Sequence, residues 1–180
     1  IQQIMEVASQ HQLPIHIHMS ETKAEVEQNV RDYGTRPVEH LDQLGLFELP
    51  VLVAHAVHVT EEEIELLAQK DVKIAHNPGS NLKLGSGIAP VPLMLAKGLR
   101  PALGTDGAAS NNNLDMLEEI QLTALIHKGH LQDPVVVSAS TALAMGTVYG
   151  AEALFWEEEI GTLEVGKKAD FITLDLDRKS

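Results

Sequence analysis

The chain has 180 residues, 44% hydrophobic and 22% charged, the make-up of a globular protein long enough to bury a core. A formal net charge of −13 argues against nucleic acid or an anionic membrane as partner, because both call for a basic surface. No run of about 18 uncharged apolar residues is present to span a bilayer, and the absence of cysteine excludes disulfides and thiolate metal sites, so any metal must be held by His and carboxylates.

Residues 1–12 lack the basic-then-apolar order of a signal peptide, so the cytoplasm is the expected compartment. The first residue is not Met and the chain opens inside a helical pattern, so further sequence is expected upstream. Residues 14–18 read as a strand, followed by helices over 22–33 and 36–44. A second strand covers 51–55. Thr60 with Glu63 three residues on forms a capping box that opens a helix over 61–69. A third strand covers 72–76, a short helix 90–97, a fourth strand 101–105 and a helix about 114–127. Strand–helix alternation of this kind implies parallel pairing with right-handed crossovers. The architectures that fit are a doubly wound sheet and half of a (β/α)8 barrel. No Gly-x-Gly-x-x-Gly fingerprint follows a strand, which weakens the first.

Beyond His130 the pattern changes. Residues 135–145 and 148–153 read as helices, and 160–174 as two short strands around Gly166-Lys167-Lys168. A boundary near Phe155 divides the chain into an α/β part, 1–155, and a small β part, 156–180.

Titratable residues fall where the strands end. His18 closes the first strand with Glu21 three residues on, His55 closes the second, His76 the third, and Asp106 follows the fourth. In a parallel α/β barrel that rim carries the active site. Imidazole and carboxylate without thiolate suit a catalytic zinc or iron, which lowers the pKa of water while a nearby carboxylate accepts the proton. His16 and His18 share one strand face, so they are either a two-ligand clamp or one site residue beside one packing residue. His58 lies just beyond its strand, in a loop, while His11, His40, His127 and His130 read as surface or capping residues. The connection over 76–87 is long and rich in Asn, Ser and Gly, suited either to packing against a substrate through its amides or to a structural turn. Small residues around Asp106 permit close approach of a ligand, and Ser110 or Asn111 is placed to cap the next helix.

Four segments in this order carry a family resemblance: His18-Met19-Ser20-Glu21-Thr22, Ala54-His55-Ala56-Val57-His58, the run from His76-Asn77-Pro78 through Ser80-Asn81-Leu82-Lys83-Leu84-Gly85 to Pro90, and Gly104-Thr105-Asp106-Gly107 through Asn112. Together with Gly161-Thr162-Leu163-Glu164-Val165-Gly166-Lys167-Lys168-Ala169-Asp170, the chain resembles the methylthioadenosine/S-adenosylhomocysteine deaminases of the amidohydrolase superfamily. The resemblance implies barrel strands five to eight followed by the return into a small β-sandwich. It implies zinc held by His18 and Asp106, with two further His ligands on a first barrel strand that this sequence does not contain. Asp106 would also accept the proton of the attacking water, His55 would hydrogen-bond the attacking oxygen and the tetrahedral centre, and Glu21 would protonate the ring nitrogen. Glu21, Asp106 and Ser110 would contact a small nucleoside, and His16 would pack. Guanine deaminases and s-triazine hydrolases share versions of these motifs, and an inactive folded piece is the reading from another class. With only two ligands, weak zinc binding is expected of the isolated chain, together with self-association or pairing with the missing half.

Overall fold

The structure, a computed structural model, describes residues 1–175. In chain order it contains α1 (Gln2–His11), β1 (Ile15–Met19), α2 (Lys23–Tyr33), α3 (Pro37–Gln43), a 3-10 turn (Leu46–Glu48), β2 (Val51–His55), α4 (Glu61–Gln69), β3 (Lys73–His76), α5 (Pro78–Lys83), α6 (Val91–Ala96), β4 (Ala102–Leu103), α7 (Ala108–Asn111), α8 (Met116–Leu131), α9 (Ala139–Met145) and α10 (Val148–Ala153). The four strands form one parallel sheet in the order β1-β2-β3-β4. Ile15 lies opposite Val51, Met19 opposite His55, Val53 opposite Ile74 and His76 opposite Leu103, so the strand ends align along one rim.

Alternation along the strands separates two faces. Ile15, Met19, Val51, Val53 and Ile74 pack with Val38 of α3, Ile64 and Leu67 of α4, Met94 of α6, and Leu99 into the main core. Ile64, Leu67 and Val53 are wholly inaccessible, and truncating a buried Leu or Ile to Ala costs about 2–5 kcal/mol. On the other face Leu52, Ala75 and Ala102 are covered by Ala153 of α10. His16 and His18 lie exposed on that face, so His16 is not the packing residue expected of it.

Helix starts are written in the sequence. Thr22 caps α2 and Thr60 caps α4, each paired with the Glu three residues on in a full capping box. Glu63 has a second task, since its buried carboxylate takes two hydrogen bonds from the Arg36 guanidinium, both at 2.9 Å. Arg36 also donates to the His58 carbonyl (2.6 Å), joining the start of α3 to the loop after β2.

Several expectations are corrected. The connection after β3 contains the helix α5, started by Pro78 at a position where a missing N–H costs nothing. Ser110 and Asn111 lie inside α7, and Asp115 caps α8 by accepting from Leu117 N (2.9 Å) and Glu118 N (3.3 Å). α9 begins at Ala139 because the Ser138 hydroxyl caps it. The two strands expected over 160–174 are not formed; those residues are turns and irregular backbone. An isolated two-stranded ribbon is marginal in water, and Leu163, Val165, Phe171, Ile172 and Leu174 are all exposed. Residues 176–180 of the expected β part lie outside the described residues.

Candidate active site

The turn after β1 presents Glu21. Its backbone is fixed by the Glu25 carboxylate, which accepts from the N–H groups of Ser20 (2.7 Å), Glu21 (2.7 Å) and Thr22 (3.4 Å). Val57 and His58 N–H groups both bond to the Ser20 carbonyl, tying this turn to the end of β2. Strand alternation alone would place His55 on the side of Val51 and Val53. Instead His55 (φ 74°) and Ala56 (φ 45°) leave the strand in the left-handed region, a local strain found where a site requires it. The His55 ring then stacks on His18 of the opposite face, with centroids 5.4 Å apart. Its Nε2 lies 3.8 Å from Glu21 Oε2, and its Nδ1 lies 2.8 Å from Asn81 Oδ1.

Asp106 follows β4 and is also left-handed (φ 59°). Asn77 supports it, with the amide nitrogen donating to the Ala75 carbonyl (2.7 Å) and the amide oxygen accepting from Asp106 N–H (3.2 Å). The Ser80 hydroxyl donates to Asp106 Oδ2 (2.7 Å). Burial acts to raise the Asp106 pKa, but hydrogen bonds from the Ser80 hydroxyl and the Gly107 backbone, the nearby His55 and the Ser110 hydroxyl outweigh it and hold the carboxyl below its ordinary value.

One ligand atom from each of His18, His55 and Asp106 lies within 4.8 Å of the others. Two imidazole nitrogens and a carboxylate oxygen, partly open to solvent and free of sulfur, fit the donor set of a catalytic zinc-type cation. The family resemblance implies a ligand set without His55, and here His55 stands as close as the other two. The Ser110 hydroxyl also bonds to Asp106.

His76, the fourth rim residue, does not join this group. It is buried, its ring lies 5.4 Å from that of His127, and neither of its nitrogens meets a hydrogen-bond partner among the described residues. Burial first, then the neighbouring His127 and His55, lower its pKa to about 3. His127 was expected at the surface or a cap; it is 1% exposed, with its pKa lowered to about 4 by burial and then by His130 and Lys128. Glu119, Thr123 and His127 recur every fourth residue on one face of α8, a spacing that marks a shared direction. His11 and His130 are exposed as expected, and His40 stacks on Tyr33.

The residues missed by sequence reading are those that hold the others. Asn77, Ser80, Asn81 and Ser86 come from the Asn/Ser-rich connection, whose composition was a visible signal for polar contacts but not for their targets. Ser86 donates to Glu21 Oε1 (3.2 Å), and its carbonyl accepts from His58 Nε2 (2.7 Å). Glu119, buried on α8, accepts from Gly79 N (3.0 Å) and Asn111 Nδ2 (2.7 Å).

The chain is similar to known proteins. The 5-methylthioadenosine/S-adenosylhomocysteine deaminase of Caldanaerobacter subterraneus subsp. tengcongensis is 54% identical over 178 residues, 99% of this chain and 41% of that protein. The chain thus spans about two fifths of the length of the curated relatives it matches. An adenosine deaminase from Xanthomonas campestris with bound zinc superposes with a TM-score of 0.90 at 41% identity, over 93% of this chain and 38% of that one. The atrazine chlorohydrolase of Arthrobacter aurescens complexed with zinc gives 0.84 at 33% identity, over 92% and 36%. Residues 1–180 match the amidohydrolase family model throughout. With a parallel α/β sheet and a sulfur-free His/Asp donor group at its rim, this chain belongs to the amidohydrolase family.

Proposed function

We propose that this chain forms strands five to eight of a (β/α)8 barrel, with residues 156–180 contributing to a small β-sandwich, in a longer enzyme that hydrolytically deaminates the adenine ring of 5'-methylthioadenosine or S-adenosylhomocysteine. The observation that carries this reading is the convergence of His18, His55 and Asp106 donor atoms within 4.8 Å, with Glu21 Oε2 3.8 Å from His55 Nε2. His18 and Asp106, with two further His from the part of the barrel outside this sequence, would hold a divalent cation of the zinc class, which would supply a water activated at neutral pH. Asp106, whose hydrogen bonds hold its carboxyl below the ordinary value, would be the base that takes a proton from that water. Glu21 would deliver a proton to the ring nitrogen beside the carbon under attack, which makes that carbon electrophilic; Asp106 would pass the proton it took to the amino group, which leaves as ammonia, and the proton left on the attacking oxygen would return to Glu21 as the carbonyl forms. His55 faces the same point and steadies the charge that develops there. Ser110 holds Asp106 and borders the substrate.

The test is turnover and metal content measured together on the whole protein. Glu21→Gln is expected to lower kcat by at least about 10²-fold with the metal retained. Asp106→Asn is expected to lower both. If Glu21→Gln keeps near-normal turnover of the two nucleosides, or loses the metal, this division of roles is wrong. A triazine substrate is the second reading, supported by the likeness to atrazine chlorohydrolase; release of chloride from a chlorotriazine, with no ammonia from the nucleosides, would favour it.

A further inference from the structure

The turn after β1 is fixed along its backbone. The Glu25 carboxylate accepts from the Ser20 and Glu21 N–H groups, and the Ser20 carbonyl accepts from the Val57 and His58 N–H groups. The Glu21 side chain is held separately. Its Oε1 accepts a hydrogen bond from the Ser86 hydroxyl (3.2 Å), 65 residues away in the chain, and no other donor reaches this carboxylate among the described residues. His55 Nε2 lies 3.8 Å from Oε2, beyond hydrogen-bond distance. We infer that Ser86 is a positioning residue for Glu21: its hydroxyl holds one carboxylate oxygen and so turns the other toward the rim.

The local backbone is built to bring Ser86 there. It stands between Gly85 (φ 71°) and Gly87 (φ 126°), two conformations that favour glycine. A Cβ at position 87 would lie 3.1 Å from Val57 Cγ1 and 3.8 Å from the His58 ring, so glycine lets the chain lie close against the loop after β2. The Ser86 N–H donates to the Asn81 carbonyl (2.8 Å), and the Ser86 carbonyl accepts from His58 Nε2 (2.7 Å). His58 is anchored in turn. Its own carbonyl accepts from Arg36 (2.6 Å), whose guanidinium is paired with the buried Glu63. Ser86 is thus buried with its N–H and its carbonyl both engaged, and its hydroxyl is aimed at Glu21.

The contact restricts a side chain that is otherwise loose. The terminal torsion of glutamate is broad and nearly two-fold, so a carboxylate without a partner swings and exchanges its oxygens. A hydroxyl donating to one oxygen removes that freedom, and hydrogen bonds to charged acceptors are the stronger kind. The oxygen left over is the one nearest His55. A reacting group misplaced by about 1 Å costs on the order of 10²-fold in rate, so a hydroxyl that never touches the substrate can still govern turnover. That effect on turnover rests on the function proposed above; the hold on the carboxylate rests on geometry alone.

The experiment combines crystal structures with a double-mutant cycle on the whole protein. Wild type is expected to show one orientation of the Glu21 carboxylate, with an oxygen on the Ser86 hydroxyl, and Ser86→Ala to show the carboxylate displaced or in several orientations. Ser86→Ala is expected to lower kcat by about 10-fold, the worth of one hydrogen bond to a charged group, with little change in KM. In a Glu21→Gln background the same substitution is expected to change kcat by less than about twofold, because residues that act through one another are not additive. A further 10-fold loss in that background would show that Ser86 acts elsewhere and would overturn the inference. So would a Glu21 carboxylate left unmoved in Ser86→Ala, and so, whether or not any variant folds, would a wild-type Glu21 turned away from Ser86. If Ser86→Ala frees the carboxylate while Glu21→Gln keeps near-normal turnover of the nucleosides, the role proposed for Glu21 fails and the hold of Ser86 upon it stands.

Discussion

At Asp106 two influences oppose each other, burial against hydrogen bonds led by the Ser80 hydroxyl, and the hydrogen bonds win. Ser80→Ala removes the strongest of those donors, so the Asp106 pKa is expected to rise; a carboxyl resonance titrating at or below the wild-type position would refute this. The buried histidines carry the opposite chemistry. His76 (about 3) and His127 (about 4) stay neutral because burial opposes their charged forms. Their unfolded counterparts protonate near pH 6.5. Below that pH the unfolded chain binds more protons than the folded one, so stability is lost as pH falls and levels off only near the folded pKa values. Each group contributes a slope of up to about 1.4 kcal/mol per pH unit within that window, and none above it. Urea midpoints between about pH 7.5 and 4.5 are expected to fall less steeply in His76→Leu than in wild type, since one of the two proton-linked groups is gone. Parallel curves would mean that His76 is not one of the groups that resist protonation.

Gly79 shows how α5 is locked to α8. A Cβ built there would lie 2.4 Å from Glu119 Oε1 and 2.8 Å from Asn111 Nδ2. Gly79→Ala must displace a buried carboxylate that two donors hold, and a destabilisation of about 1–3 kcal/mol is expected, measured by chemical denaturation. A change within about 0.5 kcal/mol, the range of ordinary surface substitutions, would show that Glu119 yields freely. The same helix shows the limit of reading elements from sequence. α4 was legible because Thr60 with Glu63 is a local signal, complete within four residues, and the structure shows the same box at Thr22 with Glu25 of α2. α5 is six residues beginning Pro-Gly-Ser-Asn, with poor intrinsic propensity; Glu119, forty residues away, pins its first turn. The rim residues His18, Glu21, His55 and Asp106 could be placed at strand ends by pattern alone. The turn of His55 out of its strand alternation could not, because a left-handed φ at a non-glycine residue leaves no mark in the sequence. The missing strands over 160–174 show the converse: alternation reports that a segment is fit to pair, not that a partner sheet is beside it.

At the scale of the molecule, β1 and β4 each have one paired neighbour among the described residues. Ile4, Val7 and Leu13 are exposed beside the β1 edge, as are His16 and His18. Open strand edges with exposed apolar neighbours favour association, so the 180-residue chain is expected to scatter light with a mass above that of one copy, and Ile4→Glu with Val7→Glu to lower that mass. A monodisperse single copy at high concentration would contradict this. The sheet order has a bearing on biosynthesis. Every strand pairs with its immediate successor, so the sheet can be laid down in the direction of translation, each strand docking on one already made. His18, Glu21 and His55 are then in place while Asp106 is still unmade. A ribosome that stalls before residue 106 leaves a chain with two thirds of its donor group set and the last acceptor missing, so the site is completed only after the sheet that carries it is largely laid down.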